Sequence, residues 1–207
     1  MKVLLINGSP NEKGCTFTAL TEVSNTLNKN GIETEFFWIG KKAMQGCVAC
    51  QKCFETGKCV FDNDGVNLIN SRANEFDGII VGSPVYYGGA TGSLCAFLDR
   101  LFFSGGERWF GKLAACVVSC RRGGATSAFQ RLNQYFTIMN MPVVSSQYWN
   151  QVHGFTPEDV KKDLEGLQTM RTLGENMAWL LKSIEAGKKA GVNYPKYEEH
   201  ILTNFIN

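Results

Sequence analysis

The chain predicts an α/β protein built on a doubly wound, five-stranded parallel sheet with helices on both faces. Three observations carry this expectation. Short runs rich in β-branched residues alternate with longer stretches of helical periodicity. The run FDGIIVGSP (76–84) is apolar at successive positions, as a central parallel strand covered on both faces must be. Loops rich in Gly, Ser and Pro follow the first, third and fourth strand-like runs, where ligands of such sheets bind.

The elements follow in order. KVLLI (2–6) is the first strand and NGSP its turn. Thr16, Leu20, Val23 and Leu27 recur at helical spacing, and Gly31 stops that helix. IETEFFWI (32–39) is the second strand. A cysteine-rich insertion at 44–64 precedes a short helix within 64–76, marked by Val66, Leu68, Ile69 and Ala73. After the third strand, Leu94, Phe97, Leu98, Leu101 and Phe102 form one helical face. KLAACVVSC (112–120) is the fourth strand, with a helix near 125–140, and PVVSSQYW (142–149) is the fifth. Thr156-Pro157-Glu158-Asp159 opens a long helix with a cap, a first-turn proline and early acids. Its expected buried stripe is Val160, Leu164, Leu167, Met177, Leu181 and Ile184, and Gly187 its end. Residues 1–187 thus read as one flavodoxin-like domain and 188–207 as a C-terminal extension. In that extension Ile201, Leu202, Phe205 and Ile206 form a short amphipathic piece, packing on its own domain or on a second subunit.

Composition narrows the function. A net charge of +2, with no block of Lys and Arg, argues against a nucleic-acid partner. The apolar run Val3–Ile6 is too short for a signal-peptide core, and no stretch approaches the roughly 18–20 apolar residues of a membrane span. A cytoplasmic protein is expected. Of eight cysteines, Cys15, Cys95, Cys116 and Cys120 are scattered and read as small buried residues. The other four, Cys47, Cys50, Cys53 and Cys59, have the spacing C-x₂-C-x₂-C-x₅-C. In a reducing compartment such a cluster points to metal or redox chemistry rather than disulfides.

The three loops point to a flavin. NGSPNEKGCTFTAL (7–20) offers free backbone N–H groups at a helix N-terminus to a phosphate, with Ser9, Thr16 and Thr18 as hydroxyl donors. It is neither G-x-G-x-x-G nor a P-loop, since Cys15 rather than Lys follows Gly14. In GSPVYYGGATGSLCAFLDR (82–100) the glycines let backbone run close to a flat ligand, and Val85, Tyr86 and Tyr87 offer faces to it. SCRRGGATSAF (119–129) adds donors at the same end, with Arg121 and Arg122 either solvated or near an anionic tail. Three such loops on one rim, in this chain order, point to a flavin mononucleotide (FMN) site.

GSPNEKGCT resembles the phosphate loop of the NAD(P)H-dependent FMN reductase family, and GSPVYYGGATGSLCAFLDR resembles that family's second signature. Within the family, GCVACQKC…CVFDND is similar to the cysteine segment of its iron–sulfur flavoprotein branch. The resemblance implies that Ser9, Asn11 and Thr16, with the backbone at Gly14 and Cys15, hold the phosphate. It implies that Pro84, Val85, Tyr86, Tyr87 and Gly88 line the isoalloxazine, and that Ser119, Arg121, Gly123 and Gly124 close its other edge. It further implies FMN, a 4Fe–4S cluster on the four cysteines, and a homodimer or homotetramer. The sequence departs from the family pattern at Asn11, Cys15 and Cys95, where Arg, Asn or Ser, and Lys are frequent.

Read from the residues alone, the four thiols suit a cluster, a zinc ion, or a metal-free turn. Their place after the second strand puts them on the flavin rim. No Ser/His/acid triad is evident; His153 and His200 are the only histidines, and His153 reads as structural or solvated. No side chain is assigned as catalytic, because the flavin carries the chemistry. Three readings stand: an FMN oxidoreductase with an accessory cluster, a cluster-free NAD(P)H-dependent FMN, quinone or azo-type reductase, and a non-enzymatic electron carrier. The donor is NAD(P)H or ferredoxin-like, and the acceptor is a small molecule.

Overall fold

The computed structural model describes residues 1–203 and Phe205. Strands β1 (Lys2–Asn7), β2 (Glu33–Trp38), β3 (Gly78–Pro84), β4 (Leu113–Cys120) and β5 (Gln151–His153) form one sheet. Their order is β2-β1-β3-β4-β5 and every pairing is parallel. The sheet is flavodoxin-like, with the order reversing beside β1.

Alternate residues of the central strands feed two separate cores, which is why these strands carry no polar alternation. Leu4 and Ile6 of β1, with Ala114, Cys116 and Val118 of β4, face α3 (Val66–Ser71), α4 (Gly92–Gly105) and α5 (Ala125–Ile138). Val3, Leu5, Ala115 and Val117 face α1 (Cys15–Lys29) and α7 (Leu164–Lys189). Fully burying each Leu, Ile, Val or Phe contributes about 1.5–3 kcal/mol, so both layers hold the rim rigidly. A short α2 (Lys52–Thr56) lies in the cysteine segment and α6 (Pro157–Val160) precedes α7. Among the described residues, no helix is long and apolar enough to cross a membrane.

Four expectations are corrected. The fifth strand lies at 151–153 rather than 142–149. The chain touches β4 through a bridge between Val143 and Ala114, turns away over Ser145–Trp149, and rejoins at Val118. The polar Ser145-Ser146-Gln147 stretch leaves the sheet, and Ser146 Oγ donates to Thr169 O at 2.7 Å. The long helix is two helices. Thr156 and Asp159 cap the first reciprocally, and Asp163 caps the second through Gly166 N–H at 3.0 Å. Asp163 also accepts from the His153 N–H at 2.6 Å, which pulls the break toward β5. Leu164 and Ile184 of the expected stripe consequently lie exposed. The cysteines outside the cluster divide: Cys116 and Cys120 are buried, Cys15 and Cys95 only half-buried. Finally, Ile201, Leu202 and Phe205 form no packed helix and are 79%, 84% and 92% exposed. So few residues fall short of the length at which a helix holds itself together without packing. Ile206 lies outside the described residues. The extension instead rests on Tyr194, whose hydroxyl accepts from Asn140 Nδ2 at 3.3 Å.

Candidate functional site

The carboxyl ends of β1, β3 and β4 bring three loops to one rim, and short bonds bind them together. Gly8 N–H donates to Gly82 O at 2.8 Å, and Thr91 Oγ1 donates to Gly8 O at 2.8 Å. Thr16 Oγ1 lies 2.8 Å from Ser119 Oγ, tying the start of α1 to the end of β4. Val85 N–H donates to Ser119 O at 2.9 Å.

The first loop is built around an uncapped helix. Gly14, the N-cap of α1, has no side chain to offer, and the first turn holds no acid. Its N–H groups and the positive end of the helix dipole therefore remain available to an anion. They open onto a hollow of about 380 Å³ edged by Asn11, Glu12, Lys13, Gly14, Cys15, Lys41, Phe155 and Pro157, two lysines against one carboxylate. Lys41 and Phe155 were not singled out from sequence, since neither belongs to a periodic or motif-bearing segment. Ser9 and Thr16 are both buried and already serve the loop. Ser9 Oγ accepts from Asn11 N–H at 3.1 Å, and Thr16 is engaged with Ser119. Burial pushes the Cys15 thiol up, away from a reactive thiolate.

The second loop turns tightly. Tyr86 N–H donates to Gly89 O at 2.9 Å and Gly89 N–H to Tyr86 O at 3.0 Å. The two residues between, Tyr87 and Gly88, have φ of +50° and +77°, the pair of positive values that a type I′ turn demands. Glycine adopts this freely. A tyrosine there is held at a cost of roughly 1–2 kcal/mol, and its ring stands fully in solvent. Backbone strain of this kind gathers at functional sites.

The third loop meets the second backbone to backbone. Gly124 has φ +86°, and a Cβ placed on it would lie 2.8 Å from Gly88 Cα and 2.9 Å from Val85 Cγ1. Ser127 Oγ, one turn into α5, donates to Gly88 O. Arg121, Arg122 and Gly123 are exposed alongside. His153 is exposed too, its Nδ1 3.8 Å from Asp163 Oδ2, a partly solvated side chain.

The four clustered cysteines form a second candidate site. Cys47, Cys50, Cys53 and Cys59 all border one small apolar pocket, closed by Phe61, Arg100 and Phe103. Ala49 and Gln51, the residues flanking Cys50, have φ of +51° and +59°, so the backbone coils left-handed as it wraps. Burial pushes the Cys53 thiol up against a backbone hydrogen bond, and the thiols of Cys50, Cys59 and Cys47 push the same way. Thiols gathered on one pocket are soft donors that suit a thiophilic metal centre. Among the described residues, no three His, Cys, Asp or Glu side chains gather closely enough to hold a single metal ion.

The location of this centre is a correction. Of the three rim stretches only Arg100, the last residue of the second and well inside α4, lines the cysteine pocket. The segment leaves the rim and packs beside the C-terminal half of α4, where Cys53 Sγ donates to Phe103 O at 3.9 Å. Arg100 and Phe103 stand eight and eleven residues along α4, roughly 12–16 Å from its rim end at 1.5 Å per residue. Arg100 closes the second signature read from sequence but carried no assigned role there, although an arginine three residues after Phe97, bordering an apolar helical face, was a usable signal.

Comparison with known proteins bears on the family and the fold. An iron–sulfur flavoprotein of Methanocaldococcus jannaschii is 36% identical over 195 residues, covering 89% of this chain and 100% of the relative. Iron–sulfur flavoproteins of Archaeoglobus fulgidus and Methanosarcina thermophila are 28% and 27% identical. These alignments cover 87% and 91% of this chain, and 97% and 99% of the relatives. Among solved structures, RosB with bound 8-demethyl-8-formylriboflavin-5'-phosphate superposes with TM-score 0.71 at 15% identity, over 100% of this chain and 92% of that one. A flavodoxin from the domain Archaea gives 0.57 at 17% identity, over 88% and 99%. These structural likenesses speak to the fold. Residues 1–156, which hold all three rim loops and the four clustered cysteines, match the NADPH-dependent FMN reductase family, and the chain belongs to it.

Proposed function

We propose that the protein is an FMN-dependent oxidoreductase that moves electrons between a reduced donor, NAD(P)H or a ferredoxin-like protein, and a small acceptor. A 4Fe–4S centre on Cys47, Cys50, Cys53 and Cys59 accompanies the flavin. The observation that carries this reading is the convergence of four thiols on one pocket of a domain whose rim presents an uncapped helix N-terminus. When bound, FMN exchanges electrons in pairs or singly, and an iron–sulfur centre exchanges them one at a time.

The chain's own residues divide the work. The N–H groups of Cys15 and Thr16, with Asn11, Lys13 and Lys41, hold the phosphate at the start of α1. The Ser9 and Thr16 hydroxyls keep that loop in shape. Pro84 to Gly88 and Ser119 to Gly124 shape a slot for the ring, narrowed where Gly88 and Gly124 meet. Tyr86 and Tyr87 offer faces on the open side, where a nicotinamide or acceptor approaches. A homo-oligomer is part of this reading. A groove of about 710 Å³ beside Cys47 and Cys53 exposes Phe54, Phe103, Phe110 and Ile138, an apolar surface suited to a second copy.

The test is anaerobic purification followed by assay of FMN, iron and acid-labile sulfide per chain. About four iron and four sulfide per FMN are expected. FMN without iron or sulfide moves the function to a cluster-free NAD(P)H-dependent reductase, the reading that the family's name favours. Neither flavin nor iron defeats both.

A further inference from the structure

Arg100 is 1% exposed, among the largest side chains buried outright in the protein. A guanidinium carries five donors and no acceptor and stays charged, so its burial demands a matching set of partners. That set is almost entirely the cysteine segment. Nη1 and Nη2 both reach the Asp64 carboxylate, Nη1 donates to Gln45 O at 3.2 Å, and Nη2 donates to Phe61 O at 2.7 Å. The guanidinium carbon lies 5.2 Å from the centre of the Phe61 ring. The remaining donor, Nε–H, points at Cys59 Sγ at 3.2 Å. Nη1 also lies 3.9 Å from Met44 Sδ, and all these contacts but the one to Cys59 fasten the loop. That one places a charged donor on a ligand sulfur, which a purely structural anchor has no need to do.

We propose that Arg100 is a positioning residue that sets the reduction potential of the centre held by the four cysteines, through its Nε–H bond to the Cys59 sulfur. The inference rests on the cluster reading above. A single electron added to an iron–sulfur centre makes it more negative by one charge. A donor and a buried cation at a ligand sulfur favour that added charge, and hydrogen bonds to the sulfurs and net charge are what set such potentials. Asp64 opposes the effect by neutralising Arg100 at the same site. The two residues therefore have opposite signs. Loss of the Arg100 donor lowers the potential, and loss of the Asp64 charge raises it.

The experiment uses the anaerobically purified holoprotein and three variants: Arg100→Lys, Asp64→Asn, and the charge-balanced double change Arg100→Gln with Asp64→Asn. Reductive titration with dithionite, followed by the electron paramagnetic signal of the reduced centre, gives its midpoint. The flavin absorbance titrated in the same sample is the internal control. We expect Arg100→Lys and the double variant to lower the reduced-to-oxidised ratio at fixed poise at least tenfold, about 59 mV for one electron. Asp64→Asn raises it, and the flavin couple stays in place. A retained centre with an unmoved midpoint, or Arg100→Lys and Asp64→Asn shifting it in the same direction, overturns the proposal. Should the variants lose iron, wild-type protein grown with ¹⁵N-arginine decides. A nitrogen hyperfine coupling on the reduced centre supports the assignment, and its absence refutes it. Wild-type protein free of iron and sulfide defeats the cluster reading and the assignment with it, whereas iron present with an unmoved midpoint defeats the assignment alone.

Discussion

Gly123 and Gly124 are sequence neighbours that the structure treats in opposite ways, and adding a methyl group to each measures how closely the ring loops must approach. At Gly123 a Cβ meets nothing within 4 Å, and its backbone is outside the left-handed region. At Gly124 φ is +86°, and the Cβ would lie 2.8 Å from Gly88 Cα. The left-handed backbone alone costs an alanine roughly 1–2 kcal/mol. Restoring an ordinary carbon–carbon separation of about 3.5 Å means opening the two loops by about 0.7 Å. Forced overpacking adds about 1–3 kcal/mol. Gly124→Ala is therefore expected to cost about 2–5 kcal/mol in all. Both partners are surface loops above an intact sheet, so part of this is expected in ligand affinity, where 2 kcal/mol corresponds to about a thirtyfold weaker Kd. Gly123→Ala is expected to match wild type or gain up to about 0.5 kcal/mol from its stiffer unfolded chain. FMN fluorescence titration into apoprotein, paired with urea unfolding, separates the two effects. Equal affinity and stability for both variants would refute the reasoning, because the backbone contact would then carry no function. Equal weakening of both would show that the loop resists any side chain, whatever its packing.

Three further outcomes are expected. Tyr87→Asn stabilises the apoprotein by about 1 kcal/mol, since asparagine tolerates the left-handed backbone and the exposed ring buries nothing; it also weakens flavin affinity, and a lower thermal midpoint would show that the ring holds the turn. Glu35 is held down to about 2 from its ordinary 4.5, chiefly by hydrogen bonds from Arg72 and with help from Lys2. A depressed carboxylate stabilises the fold above its unfolded value and loses that contribution as pH falls from 4.5 toward 2. Glu35→Gln should flatten the pH dependence of the urea midpoint in that window, and an unchanged slope would reject the pairing. Lys41→Ala should weaken FMN binding about two- to fivefold at low salt, a difference that shrinks at high ionic strength; no change at low salt would remove Lys41 from the phosphate hollow.

Legibility from sequence followed burial. The strands β1, β3 and β4 announce themselves because both faces are covered, leaving pure apolar runs such as Ile79-Ile80-Val81. The face of α4 was readable from Leu94 to Phe102 for the same reason. β5 was not, because only three residues pair and their register is imposed by Val118, Ser119 and Cys120 of β4. The break before α7 depends on Asp163 bonding two separate backbone N–H groups, a choice that helical periodicity does not encode. The rim loops were readable through glycine spacing, whereas Lys41 enters the hollow only through the path of an irregular segment. The path of the cysteine segment was hidden too, since Arg100 anchors it from roughly 40 residues away.

The cysteine segment meets one core layer through Met44 and Cys59 and otherwise lies outside both. α2 buries no residue, Cys47 and Cys50 are exposed, and the two hydrophobic layers close without any of them. Small metal-dependent domains, by contrast, collapse when their ligands are stripped. Here the loop is already shaped by a guanidinium clamp. Under the proposed cluster reading, damage by oxygen would be a local injury that leaves the scaffold standing, and repair would need fresh iron and sulfide rather than a newly synthesised chain.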